Sequence, residues 1–187
     1  GLPDGTLMVG GQFTQANGSG AVGAVRLDAT TGATAPGWSV GLENRISGQS
    51  VNVRALEVQG PWLYIGGALT HTTGGTWTTP VYSKMIVRVS TSTGIPDNGW
   101  NPNLNSTVTS LDASADGSRV YAAGYFTFAG AQSAQKAVAL NTTNGGVAQA
   151  WSPTWSSSER ANYQQAILEV GDRLWVGGSE HLMFSFD

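Results

Sequence analysis

The chain contains no cysteine, which excludes disulfide bridges and thiolate-based zinc sites and leaves the redox compartment open. Charge is scarce too: 11% of its 187 residues are Asp, Glu, Lys or Arg, against about 25% in an average soluble domain. The nine Lys and Arg residues are scattered, the formal net charge is −3 and the isoelectric point is near 5.2. No basic patch exists, so nucleic acid is not an expected partner. No apolar run approaches the ~18 residues that cross a bilayer, so no membrane span is expected. The chain opens at Gly1 with neither an initiator Met nor a signal peptide, as expected of a processed chain or a fragment.

What fills the chain instead is Gly, Ser, Thr, Asn and Gln around a hydrophobic content of 40%. Hydroxyls and amides suit the surface of exposed β-structure. The 26 glycines recur at related positions, which marks turns and close backbone approaches, not a flexible linker. A Lys-poor chain rich in Thr, Ser, Gly and Asn is associated with secreted bacterial repeat proteins, so an extracellular or cell-surface location is expected.

The internal repeat organises everything else. One element occurs as Leu7-Met-Val-Gly-Gly-Gln-Phe-Thr14, Leu63-Tyr-Ile-Gly-Gly-Ala-Leu-Thr70, Val120-Tyr-Ala-Ala-Gly-Tyr-Phe-Thr127 and Leu174-Trp-Val-Gly-Gly-Ser179. Its second glycines, Gly11, Gly67, Gly124 and Gly178, lie roughly 55 residues apart, near the ~40–50 of propeller blades. A second element reads Ala24 to Gly32, Ile86 to Gly94 and Ala137 to Gly145, and stops early at Phe184-Ser-Phe-Asp187. A third carries Trp38, Trp100 and Trp151, and a fourth runs over Val51–Val58, Val108–Ala113 and Gln165–Val170. Each is a short near-alternating stretch bounded by Gly, Asn, Asp or Pro, the signature of a strand. Asp28, Ser90 and Asn141 can cap their own turns, with a glycine four residues on to take a positive φ. Asp116-Gly117 is a hairpin turn. No helical period is sustained; the nearest candidate is a turn within Ser156 to Leu168. The expected fold is therefore all-β, with four antiparallel strands per repeat.

Laid out in this way, the repeat resembles the delta-60 type repeat and is similar to a broader set of bacterial β-propellers. The resemblance rests on Val9-Gly10-Gly11-Gln12-Phe13-Thr14 with Asn17-Gly18, on Leu27-Asp28 with Thr31-Gly32, on Trp100-Asn101-Pro102, and on Val108 with Leu111. It covers nearly the whole chain. It departs at Ala123, at Ser179-Glu180 and at Val40, which follows Trp38-Ser39 where a proline stands in the pattern. The resemblance implies a β-propeller in a secreted or cell-surface protein, with no standard catalytic residues to carry over.

Taken as blades, residues 1–187 form a single propeller segment of about four blade positions. Two are complete (51–102 and 108–153) and two are partial (1–40 and 163–187). Four lies at the bottom of the ~4–8 blades that close a propeller. Both ends fall inside a blade and expose strand edges, so a longer chain with further blades, or another copy covering the edges, is expected.

Few residues invite chemistry. Glu57, Asp112 and Glu169 fall at equivalent positions, one after the inner-strand leucine, and suggest an acidic ring at the axis, able to hold a cation. Recurrence favours a structural acid in each repeat. His71 and His181 stand at unrelated places with no cluster beside them. No nucleophile elbow and no phosphate loop occurs, and neither a metal nor a cofactor is expected. Trp38, Trp100 and Trp151 recur and read as packing residues. Trp77 does not recur: it sits in His71-Thr-Thr-Gly-Gly-Thr-Trp-Thr-Thr-Pro-Val-Tyr82, the longest insertion between equivalent strands. Non-repeating loops on a repeating scaffold carry function, so His71, Trp77 and Tyr82 are the candidate ligand-binding residues. Sequons at Asn17, Asn105 and Asn141 permit glycosylation, though about two would arise by chance at this Ser and Thr content.

The expectation for function is a non-enzymatic structural or interaction module that binds protein or glycan through its loops. A propeller enzyme whose axial site is completed outside this chain is one rival, since lyases, glycosidases and quinoprotein dehydrogenases use propellers so. A subunit that assembles edge to edge is another.

Overall fold

A computed structural model describes residues 1–148, 163–179 and 183–186. The first repeat holds β1 (Thr6–Gly10), β2 (Gln15–Ala16), β3 (Ser19–Gly20) and β4 (Ala24–Asp28). The second holds β5 (Val40–Glu43), β6 (Asn52–Gln59), β7 (Trp62–Ala68), β8 (His71–Gly74), β9 (Trp77–Tyr82) and β10 (Ile86–Ser90). The third holds β11 (Val108–Ala113), β12 (Arg119–Gly124), β13 (Phe128–Ala129), β14 (Gln132–Ser133) and β15 (Ala137–Asn141). The fourth holds β16 (Gln164–Val170), β17 (Arg173–Gly178) and β18 (Met183–Phe186). The described residues are all-β, and their strand ladders are antiparallel.

The repeat becomes a meander in which the Gly-Gly strand is central. The sheets run β6-β7-β10, β11-β12-β15 and β16-β17-β18, while the first sheet pairs β1 with β4. The turns close as their residues require. Asp28 Oδ1 accepts from the N–H groups of Thr30 and Thr31, Ser90 Oγ from Ser92 and Thr93, and Asn141 Oδ1 from Thr143. Gly32, Gly94 and Gly145 follow with φ of 71°, 80° and 73°.

The tryptophan element behaves differently from a strand. Trp38 and Trp100 lie outside the ladders. Just upstream, Thr34, Pro96 and Val147 each make one isolated bridge, to Leu27, Val89 and Leu140. Proline at the second of these positions has no N–H to continue a ladder. Trp151 and the proposed turn's residues through 162 lie outside the described residues, and Leu168 belongs to β16.

Successive sheets stack face on face, and the two glycines of each pair do separate jobs. The first marks where the next sheet lands. A Cβ on Gly10 would come within 2.6 Å of Val53 Cγ1, and one on Gly66 within 2.6 Å of Val108 Cγ1, with Leu56 and Leu111 next. At the third junction this residue is Ala123, fully buried, and the residues matching Val53 and Leu56 are Gln164 and Ile167. In the second, third and fourth repeats the second glycine faces backbone. The inner strand bulges between Val53 and Ala55, Val108 and Ser110, and Gln164 and Ala166. There a Cβ on Gly67, Gly124 or Gly178 would overlap the carbonyl of Asn52, Thr107 or Tyr163. Side chains can yield; a bulged backbone cannot. This is why the first glycine varies among the repeats and the second does not.

Polar groups also tie each repeat to the next. Trp38 Nε1 donates to the Ser90 carbonyl and Trp100 Nε1 to that of Asn141, both at 3.0 Å. Arg26 donates to the Thr91 carbonyl and Arg88 to that of Thr142. The Arg88 guanidinium also pairs with Asp97 at 2.5 Å and lies 4.6 Å above the Trp62 ring. Trp100, Leu104, Phe126 and Val138, none of them exposed, form the centre of the largest core cluster around these contacts.

Candidate functional site

The insertion that sets the second repeat apart is a three-stranded sheet, β5-β8-β9. Its counterparts are the two-residue ladders β2-β3 and β13-β14. Alternation along β8 turns Thr72 into the core, fully buried, together with Leu42 of β5. It leaves His71 on the other face, paired with Tyr82 across β9 and with Glu43 across β5. The His71 and Tyr82 rings meet edge to face at 5.5 Å, a favourable aromatic geometry.

His71 Nδ1 shares a hydrogen bond of 3.0 Å with Thr70 Oγ1. Partial burial is the main influence that holds the imidazole below its ordinary pKa; Arg45 adds to it and Glu43 opposes it. His71 is therefore neutral at pH 7 and presents a ring, not a charge. The Tyr82 hydroxyl donates to Asn103 Oδ1 at 3.2 Å, and Asn101 Nδ2 donates to the Tyr82 carbonyl at 3.0 Å. These bonds fasten the base of the hairpin to the loop after Trp100.

Trp77 stands apart from that pair. It is opposite Gly74, beside the turn, and residues opposite each other share a face. Gly74 lies on the Thr72 side of β8, so Trp77 does not join His71 and Tyr82. Both Trp77 and Tyr82 are exposed, at 40% and 47%. Of the three candidates, the structure brings two together and leaves the third at the tip. Sequence reasoning missed β5, Asn101 and Asn103, although the apolar alternation of Val40 and Leu42 was there to be read.

The acidic ring requires correction. Glu57 pairs with Tyr64 and Asp112 with Tyr121, but Glu169 pairs with Leu174, and Leu168 is the residue opposite Trp175. The leucine-like position of the inner strand is Ile167, so Glu169 is one residue out of register. A one-residue offset reverses the face. Glu169 accordingly reaches back, accepting from the Tyr121 hydroxyl at 2.9 Å and from Ala115 N–H at 2.7 Å. Asp112 accepts from Glu169 N–H at 2.5 Å. Burial first, and then the Asp112 charge, push Glu57 above the usual carboxylate range. Among the described residues no three His, Asp or Glu side chains converge as metal ligands would; His181 lies outside them. The sequon amides have structural partners: Asn17 donates to the Gly32 carbonyl, and Asn105 Oδ1 accepts from Thr127 and Phe128 N–H.

The β1–β4 unit, with its Asp28–Gly32 turn, is the portion of the chain in which a family can be recognised. Residues 2–33 match the model described as a domain of unknown function (DUF5122) β-propeller. That is the family of delta-60-like repeats, and the match supports a β-propeller repeat protein. No curated protein and no solved structure matches the chain. The matched stretch spans the Gly-Gly strand and the capped turn of the first repeat; the second and third repeats carry the same strand and turn, with Ala123 at the first glycine of the third, and the fourth repeats the strand.

Proposed function

We propose that the chain is a non-enzymatic interaction module of a secreted or cell-surface propeller protein, which binds protein or glycan through the β8–β9 hairpin. Its blades are four-stranded, with the single-bridge segments at Thr34, Pro96 and Val147 as reduced fourth strands, and it supplies about four blade positions. The observation that carries the binding role is the asymmetry of the hairpins. Among the described residues only the second repeat extends this element, and it displays Trp77 and Tyr82, aromatic side chains able to stack on a sugar ring or fill an apolar pocket of a partner. Screening on oligosaccharide and peptide arrays tests the proposal. Trp77→Ala and Tyr82→Ala are each expected to weaken any ligand found by roughly tenfold or more. Binding that survives both substitutions would overturn it.

The enzyme alternative has one observation in its favour. Glu57 is a half-buried acid with a raised pKa, influenced by Asp112 on the neighbouring inner strand, and pairs of carboxylates whose environments differ serve acid–base chemistry. Turnover of a glycoside by the intact source protein, abolished by Glu57→Gln, would favour that reading.

A further inference from the structure

Each sheet has a forward face, turned toward the next repeat, and a rear face turned toward the one before. On the second and third sheets the forward face is covered, and its aromatic residue is buried: Tyr64 is 1% exposed and Tyr121 8%. On the fourth sheet the same position is Trp175, 37% exposed. Around it stand Leu168 at 53%, Val170 at 55% and Met183 at 70%, all on the forward side by strand alternation. With Gly177 they line an apolar hollow of about 390 Å³. Where the covered sheets carry Glu57 and Asp112, this sheet carries Leu168, so the open face is more apolar than the closed ones. A cluster of exposed apolar side chains of this kind marks an interaction surface.

The internal junctions show what fits there. Gly66 receives Val108 and Leu111, and Tyr64 packs in one cluster with Val120, Ala122, Val138 and Leu140 of the third sheet's rear face. The equivalents of those last four residues on the first sheet are Leu7, Val9, Val25 and Leu27, paired Leu7 with Leu27 and Val9 with Val25. Leu7 is 39% exposed. The chain thus carries a receiving face at one end and an apolar inserting face at the other.

We propose that the forward face of the fourth sheet docks the rear face of the first sheet of a second copy. The contact is head to tail and continues between molecules the stacking that joins the repeats within one. Such a heterologous contact builds a ring or a filament. It uses sheet faces, not strand edges, and it is independent of the β8–β9 hairpin.

Sedimentation velocity across a concentration series tests this. The wild-type chain is expected to gain mass with concentration. Leu168→Asp and Leu7→Asp each place a charge on an already exposed position, so folding is preserved, as circular dichroism would check. Either substitution alone is expected to weaken self-association by about tenfold or more. An equimolar mixture of the two variants retains one intact pair of faces and should form a 1:1 dimer. Trp77→Ala with Tyr82→Ala should associate as the wild type does. A wild type that stays monomeric throughout, leaving the face to a further repeat or to a different protein, would overturn the proposal. So would Leu168→Asp associating normally, or the mixed variants failing to pair.

Discussion

Arg88 and Arg26 occupy the same place in consecutive repeats, yet they are held in different surroundings. The Arg88 side chain is 9% exposed and its partner Asp97 22%, whereas Asp4, the partner of Arg26, is 53% exposed. Removing Arg88 strands a mostly buried carboxylate and takes the hydrogen bond from the Thr142 carbonyl. Arg88→Ala is expected to cost about 3 kcal/mol, and Arg26→Ala less, because water screens its pair. Urea denaturation of the two variants measures the difference. Two titrating groups add tests with defined signs. Glu57 has a folded-state pKa above its ordinary value, so its charge opposes folding at neutral pH and costs nothing below the carboxylate range. Glu57→Gln should therefore raise the melting temperature at pH 7, and the gain should vanish as the pH falls below 4. The Tyr121 phenol is pushed up to about 12, by burial first and then by its hydrogen bond to Glu169. Its stabilising contribution is complete below about pH 10, the ordinary phenol value, and is lost as the pH rises toward 12. Wild type should lose stability over that window more steeply than Tyr121→Phe, as thermal melts at stepped pH would show.

The Gly-Gly strands turn a repeated dipeptide into two distinct requirements. Gly66→Ala asks Val108 and Leu111 to shift, much as the third junction already accommodates Ala123, and should cost about 1 kcal/mol. Gly124→Ala drives a methyl group into the Thr107 carbonyl at the bulge and should cost about 3 kcal/mol. Equal losses in the two variants would refute this division of labour. The same elements show how far the sequence could be read. The strands, the capped turns and their period were legible because short alternating runs between Gly, Asn and Asp have few other solutions. The fate of the tryptophan element was not, since a segment that docks an indole on a neighbouring carbonyl has the same composition as a short strand. Nor was the register of β16: in Ala166-Ile-Leu-Glu169 either Ile167 or Leu168 satisfies the pattern, and the ladder with Trp175 decides. At the binding hairpin, the unusual length and the aromatic residues were visible. The division of Tyr82 from Trp77 between faces depends on strand pairing, which local sequence does not encode.

Across the molecule, stability should follow the number of neighbours a sheet has. The second and third sheets are flanked on both sides and hold the fully buried Leu63, Ile65, Val87, Val120, Val138 and Leu140. The first and fourth have one flank each among the described residues. In an array whose energy is a sum of unit and nearest-neighbour contributions, the middle opens last. Native-state hydrogen exchange is expected to give the slowest amides in β7, β10, β12 and β15, and faster ones in β1 and β18. Uniform protection across all four sheets would mean that the chain opens as one unit.

The indole and guanidinium bonds between repeats also give the array a direction. Trp38, Arg26, Trp100 and Arg88 all reach toward the later repeat. During synthesis each repeat therefore emerges with donors whose protein acceptors have not yet been translated, and it is completed only when the following turn leaves the ribosome. Deletion from the two ends should be unequal for the same reason. Loss of the first repeat takes its own donors with it, whereas loss of a later one leaves the donors of its predecessor facing water without their protein acceptors.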